Sequence, residues 1–250
     1  MDTTGNCILV TGGATGIGRR FAELFHARGN RVIVASRRRS ALDAVVAANP
    51  GIVAMELDVA DPVSIEAFAK EIVAAHPDLN VVLNNAGIMP SEDFLDAPNW
   101  LPTAEATIAT NLLGPIRLTA ALLPHLLTKP KAAILNVTSG LAFVPKLANP
   151  TYSATKAALH SWTMSLRRQL AETGVEAIEI APPYVATELT GPAQAVDPRA
   201  MPLEDFVREA MSLLEAVPTP AEVIVERCRP LRFAEKNGNL EQIFTALAAG

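Results

Sequence analysis

The sequence predicts a doubly wound α/β fold, an open parallel sheet with helices on both faces. Three observations carry this. Short runs rich in Val, Ile and Leu recur through the first 180 residues and are near-continuously apolar rather than alternating, the pattern of strands buried on both faces. Stretches with apolar residues at helical spacing separate them. A glycine-rich turn joins the first apolar run to the first helical stretch, as in a right-handed βαβ unit.

Strands are expected, in order, at residues 7–10, 31–35, 53–57, 81–84, 132–137 and 176–180, with helices at 17–28, 64–75, about 104–127 and 153–172. Asp61-Pro62 ahead of the second helix supplies a capping carboxylate and a first-turn proline. After Ile180, five prolines (Pro182, Pro183, Pro192, Pro198 and Pro202) break the pattern. An amphipathic helix is expected at 203–215, and Thr219-Pro220 reads as the cap and first turn of another, through about residue 227. One domain is expected over 1–250, with about 185–217 forming a flexible cover over the substrate rather than a second fold.

Composition narrows the function classes. Half the residues are hydrophobic, 19% are charged, and the net charge is −5, which gives no reason to expect nucleic acid or an anionic membrane as partner. The apolar stretches are expected to stop well short of a membrane span, and no secretory leader is read at the N-terminus. Cys7 sits in an apolar run and is expected to pack as a small hydrophobe, with Cys228 far away. A reducing cytoplasm fits that usage. His26, His76, His125 and His160 lack metal spacing and are expected at the surface or as caps, so no metal is expected.

The first strand runs into Thr11-Gly12-Gly13-Ala14-Thr15-Gly16-Ile17-Gly18. Small residues let the backbone approach a pyrophosphate, and the helix N-terminus offers free N–H groups and a positive dipole. Gly12, Thr15, Gly16, Ile17 and Gly18 are therefore candidate dinucleotide contacts in a Rossmann-type sheet. The second strand ends at Ser36-Arg37, where an acidic residue would mark NAD. A serine followed by arginine suits a 2′-phosphate, so NADP(H) is the expected cofactor. Arg38 and Arg39 are equally readable as a solvated helix start.

Tyr152 and Lys156 lie four residues apart on one helix face, a spacing in which an ammonium favours the phenolate. Alone the pair is common. Together with Thr11–Gly18, Asn84-Asn85-Ala86-Gly87, Asn111 and Ser139, thirteen residues before Tyr152, it closely resembles the short-chain dehydrogenase/reductase family, in its shorter single-domain branch, from residue 6 to about 190.

The resemblance implies roles. Tyr152 would be the acid/base, Ser139 would orient the carbonyl, and Lys156 would hold the nicotinamide ribose and lower the Tyr152 pKa. Asn111 would fix a proton-relay water. Asp58 and Val59 would lie at the adenine, Asn85, Ala86 and Gly87 near its ribose (Ala86-Gly87 being equally readable as a tight turn), and Pro182, Val185 and Thr187 at the nicotinamide loop, the last two at positions that hold the carboxamide and pyrophosphate. Asp58 reads equally as a turn aspartate. Thr138 is set aside because strand neighbours face opposite ways.

Two departures stand out. The family usually has Pro-Gly after the sixth strand, whereas this chain has Pro182-Pro183, a variant shared by a sub-branch, and a stiffer loop is expected. The C-terminus reads as a short helix at 239–247 rather than a tetramer-forming strand, which leaves a homodimer through the long helices around Asn111 and Tyr152. Met89, Leu141, Phe143, Tyr184 and Leu189 flank the motifs and predict an apolar pocket for a ketone, aldehyde or secondary alcohol, with no cation placed for an anionic tail. A non-catalytic NADP(H)-binding redox sensor is the competing class. Such proteins tend to lose the tyrosine or lysine, and this chain keeps all four catalytic positions.

Overall fold

Seven parallel strands lie in the order β3-β2-β1-β4-β5-β6-β7 in the computed structural model, which describes residues 1–96 and 99–248. They are β1 (Cys7–Thr11), β2 (Arg31–Ser36), β3 (Val53–Glu56), β4 (Leu79–Asn84), β5 (Ala132–Val137), β6 (Val175–Ile180) and β7 (Glu222–Val223). The helices are α1 (Gly16–Ala27), α2 (Arg39–Ala48), α3 (Pro62–Ala75), α4 (Leu101–Ile108), α5 (Gly114–Leu126), α6 (Pro150–Gln169), α7 (Pro192–Ala195), α8 (Leu203–Leu214), α9 (Arg229–Arg232) and α10 (Leu240–Ala248).

The apolar strand runs are explained by two cores. Ile8, Val10, Val32 and Val34 face a cluster with Phe21 and Phe25 of α1 and Phe206 of α8. Their neighbours Leu9, Ile33 and Ala35 face a second cluster with Ile65, Phe68 and Ile72 of α3 and Leu118 and Leu122 of α5. Both faces are covered, so alternation in side-chain direction needs no alternation in polarity. The chain passes from β1 out to β3 and returns to β4 beside β1. That reversal opens a crevice at the strands' carboxyl ends, the usual ligand position in such sheets.

Four expectations are corrected. The helix expected at 104–127 is broken: a π turn, Ala109–Leu113, separates α4 from α5. The run Leu101–Leu126 is also 26 residues long with a mean hydropathy of 1.3. By length and composition it could cross a membrane; here Leu118, Leu122 and Leu126 are buried with α3, while Leu101 and Ile108 stay exposed.

The helix expected from Thr219 is instead β7, pairing Glu222 and Val223 with Glu179 and Ile180 of β6. The edge of the sheet takes these residues because Val223 and Val225 have a core to enter, an advantage that local capping signals cannot register. Finally, α8 is no loose cover. Phe206, Val207, Ala210, Met211 and Leu214 are buried against the first cluster.

Candidate active site

The crevice at the carboxyl ends of β1, β4, β5 and β6 is a cleft of about 960 Å³. Nearly all the residues singled out in the sequence meet on its wall: Gly12, Thr15, Gly16 and Ile17; Ser36 and Arg37; Asp58 and Val59; Asn85, Ala86 and Gly87; Ser139, Tyr152 and Lys156; Pro182, Val185 and Thr187; and Met89, Leu141, Tyr184 and Leu189. Gly18, Asn111 and Phe143 stand behind the wall.

The glycine turn owes its shape to contacts from β4. Gly12 has φ +64°, and a Cβ there would sit 2.9 Å from the Ala86 Cα, so a side chain is excluded twice over. Gly18 serves packing rather than ligand contact: its Cβ would fall 2.3 Å from Asn85 Nδ2 and 2.6 Å from the Gly12 carbonyl. Asn85 Nδ2 donates to the Thr11 carbonyl at 3.0 Å, and the Thr11 hydroxyl accepts from the Asn85 and Ala86 amides at 3.0 and 3.1 Å. Asn84 lies behind them, donating to Asn136 at 2.9 Å and so tying β4 to β5.

Helix α1 starts at this turn with its N-terminal amides toward the cleft. Thr15 at the N-cap makes no side-chain capping bond, and the first turn holds no acidic residue. The helix end keeps its donors and its positive dipole for an anion.

The arginine cluster divides. Arg39 pairs with Asp43 at 2.9 Å and is the solvated helix start. Arg38 lines the cleft with Arg37 and reaches Thr15 Oγ1 at 3.4 Å, a contact that spacing alone did not single out. The Asp58 carboxylate accepts from the Ala60 amide at 2.9 Å as a turn aspartate, and the residue also lines the cleft.

At the chemical centre Tyr152, Ser139 and Lys156 are all buried, at 6%, 7% and 4% exposure. Burial pushes the Tyr152 phenol up to about 12, against a smaller lowering by the neighbouring Ser139 hydroxyl. Burial likewise brings the Lys156 ammonium down to about 8. Lys156 Nζ donates to the Val137 carbonyl at 2.8 Å and lies 5.6 Å from the Tyr152 ring centroid. The expected lowering of the phenol by lysine is therefore overridden by loss of water from both groups.

Asn111 sits in the π turn, a common address for functional residues. Its Oδ1 accepts from the Ile88 amide at 2.9 Å, and its Nδ2 donates to the Ile88 carbonyl at 2.8 Å and to Thr155 at 3.4 Å. The two N–H groups of the amide are thus committed to protein oxygens, which ties α6 to the strand loop, while Oδ1 keeps a second lone pair.

Beyond Tyr152 the walls are largely apolar, with Leu203, Leu231, Ala246 and Leu247 added to the expected residues. Phe143 is a correction. Its ring meets His160 at 5.0 Å and the Arg232 guanidinium at 4.8 Å, away from the cleft. His160 is another, being neither a surface nor a capping residue but paired with buried Glu179 at 2.7 Å. Two cations, Lys146 and Arg199, also reach the wall, where none was expected, and Arg199 is engaged by Asp197 at 2.9 Å. Gln194, missed in the sequence, lashes the loop after β6 by donating to the Val185 carbonyl at 2.8 Å and to Thr187 at 3.2 Å.

Residues 6–197 match the family model described as short chain dehydrogenase. The chain belongs to the short-chain dehydrogenase family. It is 39% identical over 239 residues to the "uncharacterized oxidoreductase DltE" of Bacillus subtilis, covering 94% of each chain. Among solved structures it resembles a short-chain dehydrogenase of Burkholderia cenocepacia in complex with NADP, with a TM-score of 0.82, 25% identity, and coverage of 98% of this chain and 99% of that one. A Burkholderia phymatum family member in complex with NAD shares the fold at a TM-score of 0.83 and 19% identity, covering 96% of each chain. As a family member the protein is an oxidoreductase of the hydride-transfer class with a Rossmann-type nucleotide site.

Proposed function

We propose that this short-chain dehydrogenase is NADP(H)-dependent and interconverts an apolar ketone or aldehyde with its alcohol. The observation that carries the reading is one continuous cleft with Arg37, Arg38 and the uncapped α1 end at one side and Ser139, Tyr152 and Lys156 at the other. A dinucleotide fits this donor set: amides and dipole for the pyrophosphate, and guanidinium groups for a 2′-phosphate. The Burkholderia cenocepacia structure, bound to NADP, supports the choice of nucleotide.

When bound, the nicotinamide supplies or takes the hydride. The chain's own groups manage the oxygen and its proton. Ser139 and Tyr152 both present hydroxyls to the carbonyl oxygen, which fixes its orientation. With its pKa pushed up to about 12, Tyr152 holds its proton at neutral pH and is ready to donate it as the alkoxide develops. The Lys156 ammonium then lies within reach to stabilise the phenolate, and its remaining donors suit ribose hydroxyls. Gly87 leaves a gap beside this pair: a methyl there would sit 3.2 Å from Asn111 Oδ1 and 3.8 Å from Lys156 Nζ. A water in that gap would return the proton, with Asn111 as its anchor.

The enzyme works, on this reading, as a single unit over 1–250, with about 185–217 covering the substrate. It is a cytoplasmic homodimer built on the α4–α5 run around Asn111 and on α6, where Ile108 and Met164 are exposed.

Fluorescence titration with NADPH and NADH tests the cofactor. Wild type should bind NADPH more tightly, and Arg37→Ala and Arg38→Ala should each lose about 1.5–3 kcal/mol of that preference, the worth of a charge-assisted contact. Equal affinity for both nucleotides, unchanged in the variants, contradicts it.

A further inference from the structure

Beneath the catalytic strand and helix lies a trio, two of its members buried and one half-buried, that the chemistry above does not use. Glu179 on β6 is 0% exposed. Its Oε1 accepts the Thr138 hydroxyl at 2.6 Å, and its Oε2 lies 2.7 Å from His160 Nδ1. Thr138 immediately precedes Ser139, while His160 stands one turn beyond Lys156 and two beyond Tyr152 on α6. One carboxylate on a third element thus spans the strand end carrying the serine and the helix carrying the tyrosine and lysine.

The far side of the serine segment is held by the same histidine. After Ser139 the chain makes a short turn, Gly140–Ala142, and Phe143 then packs edge-on against the His160 ring at 5.0 Å. The segment is clamped before Ser139 through Glu179 and after it through His160. The charges around the trio are also settled. On β7 and α9, Glu222 takes Arg232 in two bonds of 2.6 and 3.1 Å, Arg167 on α6 donates to the Ala177 carbonyl at 2.8 Å, and burial holds the nearby Cys228 thiol up at about 12. His160, Glu179 and Glu222 bring ligand atoms within 4.8 Å of one another, but Arg232 already occupies Glu222, and Glu179 already occupies His160 Nδ1. These hydrogen bonds and the Glu222–Arg232 ion pair close the group on itself. A buried, fully partnered carboxylate defines one geometry sharply, since every alternative strands a polar group.

We propose that Glu179 is a positioning residue for the reaction, bridging Thr138 to His160 so that the Ser139 and Tyr152 hydroxyls converge on one carbonyl oxygen. The claim concerns the geometry of the pair, and it rests on the reductase reading only for its rate readout.

The test compares Thr138→Val, Thr138→Ser and Glu179→Gln with wild type by kcat, ketone KM and NADPH Kd, together with crystal structures of the variants. Thr138→Val should lower kcat by about ten-fold or more, as small misplacements at a reacting centre do, and leave NADPH Kd within about two-fold. Thr138→Ser, which keeps the hydroxyl, should restore kcat. Glu179→Gln, still able to bond both partners, should fall between them. In the Thr138→Val crystal Ser139 Oγ should shift away from the Tyr152 hydroxyl relative to wild type.

An unmoved Ser139, or a kcat retained within about two-fold in Thr138→Val, overturns the proposal, as does kcat falling only in step with NADPH affinity. A wild type that reduces no carbonyl counts against the reductase reading alone, and the position of Ser139 then decides this one.

Discussion

Tyr152 and Lys156 show how burial sets the direction of the chemistry. Desolvation moves a phenol up and an ammonium down, to about 12 and about 8, so at neutral pH the tyrosine is an acid-in-waiting beside a positive charge. The ammonium form exists below its pKa and is lost as pH rises through it. The kcat/KM for NADPH should accordingly fall as pH rises through about 8, and a pH profile of the free enzyme reads this directly. A flat profile to pH 10 contradicts a role for the charge.

Gly87 gives a second residue-scale prediction. A methyl there would crowd Asn111 Oδ1 at 3.2 Å, so Gly87→Ala should cut kcat by roughly ten-fold, the lower part of the general acid–base range. The thermal midpoint should change little, since the Oδ1 contact needs only a few tenths of an ångström of give.

Elements whose pattern follows from burial were legible in the sequence; those whose form depends on distant partners were not. Asp61 caps α3 through the Val63 amide at 2.9 Å, a local signal that needs no tertiary context. The six longer strands were visible for the same reason: near-continuous apolarity is a property of each segment. By contrast, α2 buries only Leu42 and Val45, which is too little periodicity to mark it. β7 has two residues and exists because β6 offers it an edge. The π turn at Asn111 leaves the apolar spacing of α4 and α5 almost unchanged, so the break was hidden.

The site repeats the division. Motif residues on β1, α1 and α6 met as expected, while Gln194, Lys146 and Arg38 entered through loop geometry. Phe143 was misread because it follows Ser139 by four residues, yet the intervening turn sends its ring to His160. At this scale Gln194→Ala should loosen the loop that carries Val185 and Thr187, raising the KM for NADPH several-fold with kcat changed less.

Across the whole molecule the covering segment and the core are one structure. Phe206 is fully buried, with its ring edge-on to Phe21 at 6.3 Å. Phe206→Ala should therefore cost about 3–5 kcal/mol in denaturant unfolding, the range for deleting a core phenylalanine. A loss below about 1 kcal/mol would show α8 to be a detachable flap. Anchoring α8 in this way also places Leu203 at the cleft wall, so the same packing that stabilises the domain shapes the apolar end of the cleft.

The central claim is that Tyr152 acts as the acid in hydride transfer from NADPH to a carbonyl. The measurement that tests it most directly is the loss of NADPH absorbance with a panel of apolar ketones and aldehydes, in wild type and Tyr152→Phe. The account predicts turnover in wild type and a fall of about 10²–10⁴-fold in the variant, the share of a general acid, with NADPH affinity retained. Turnover unchanged in Tyr152→Phe, or tight NADPH binding with no carbonyl reduced by wild type, would contradict it.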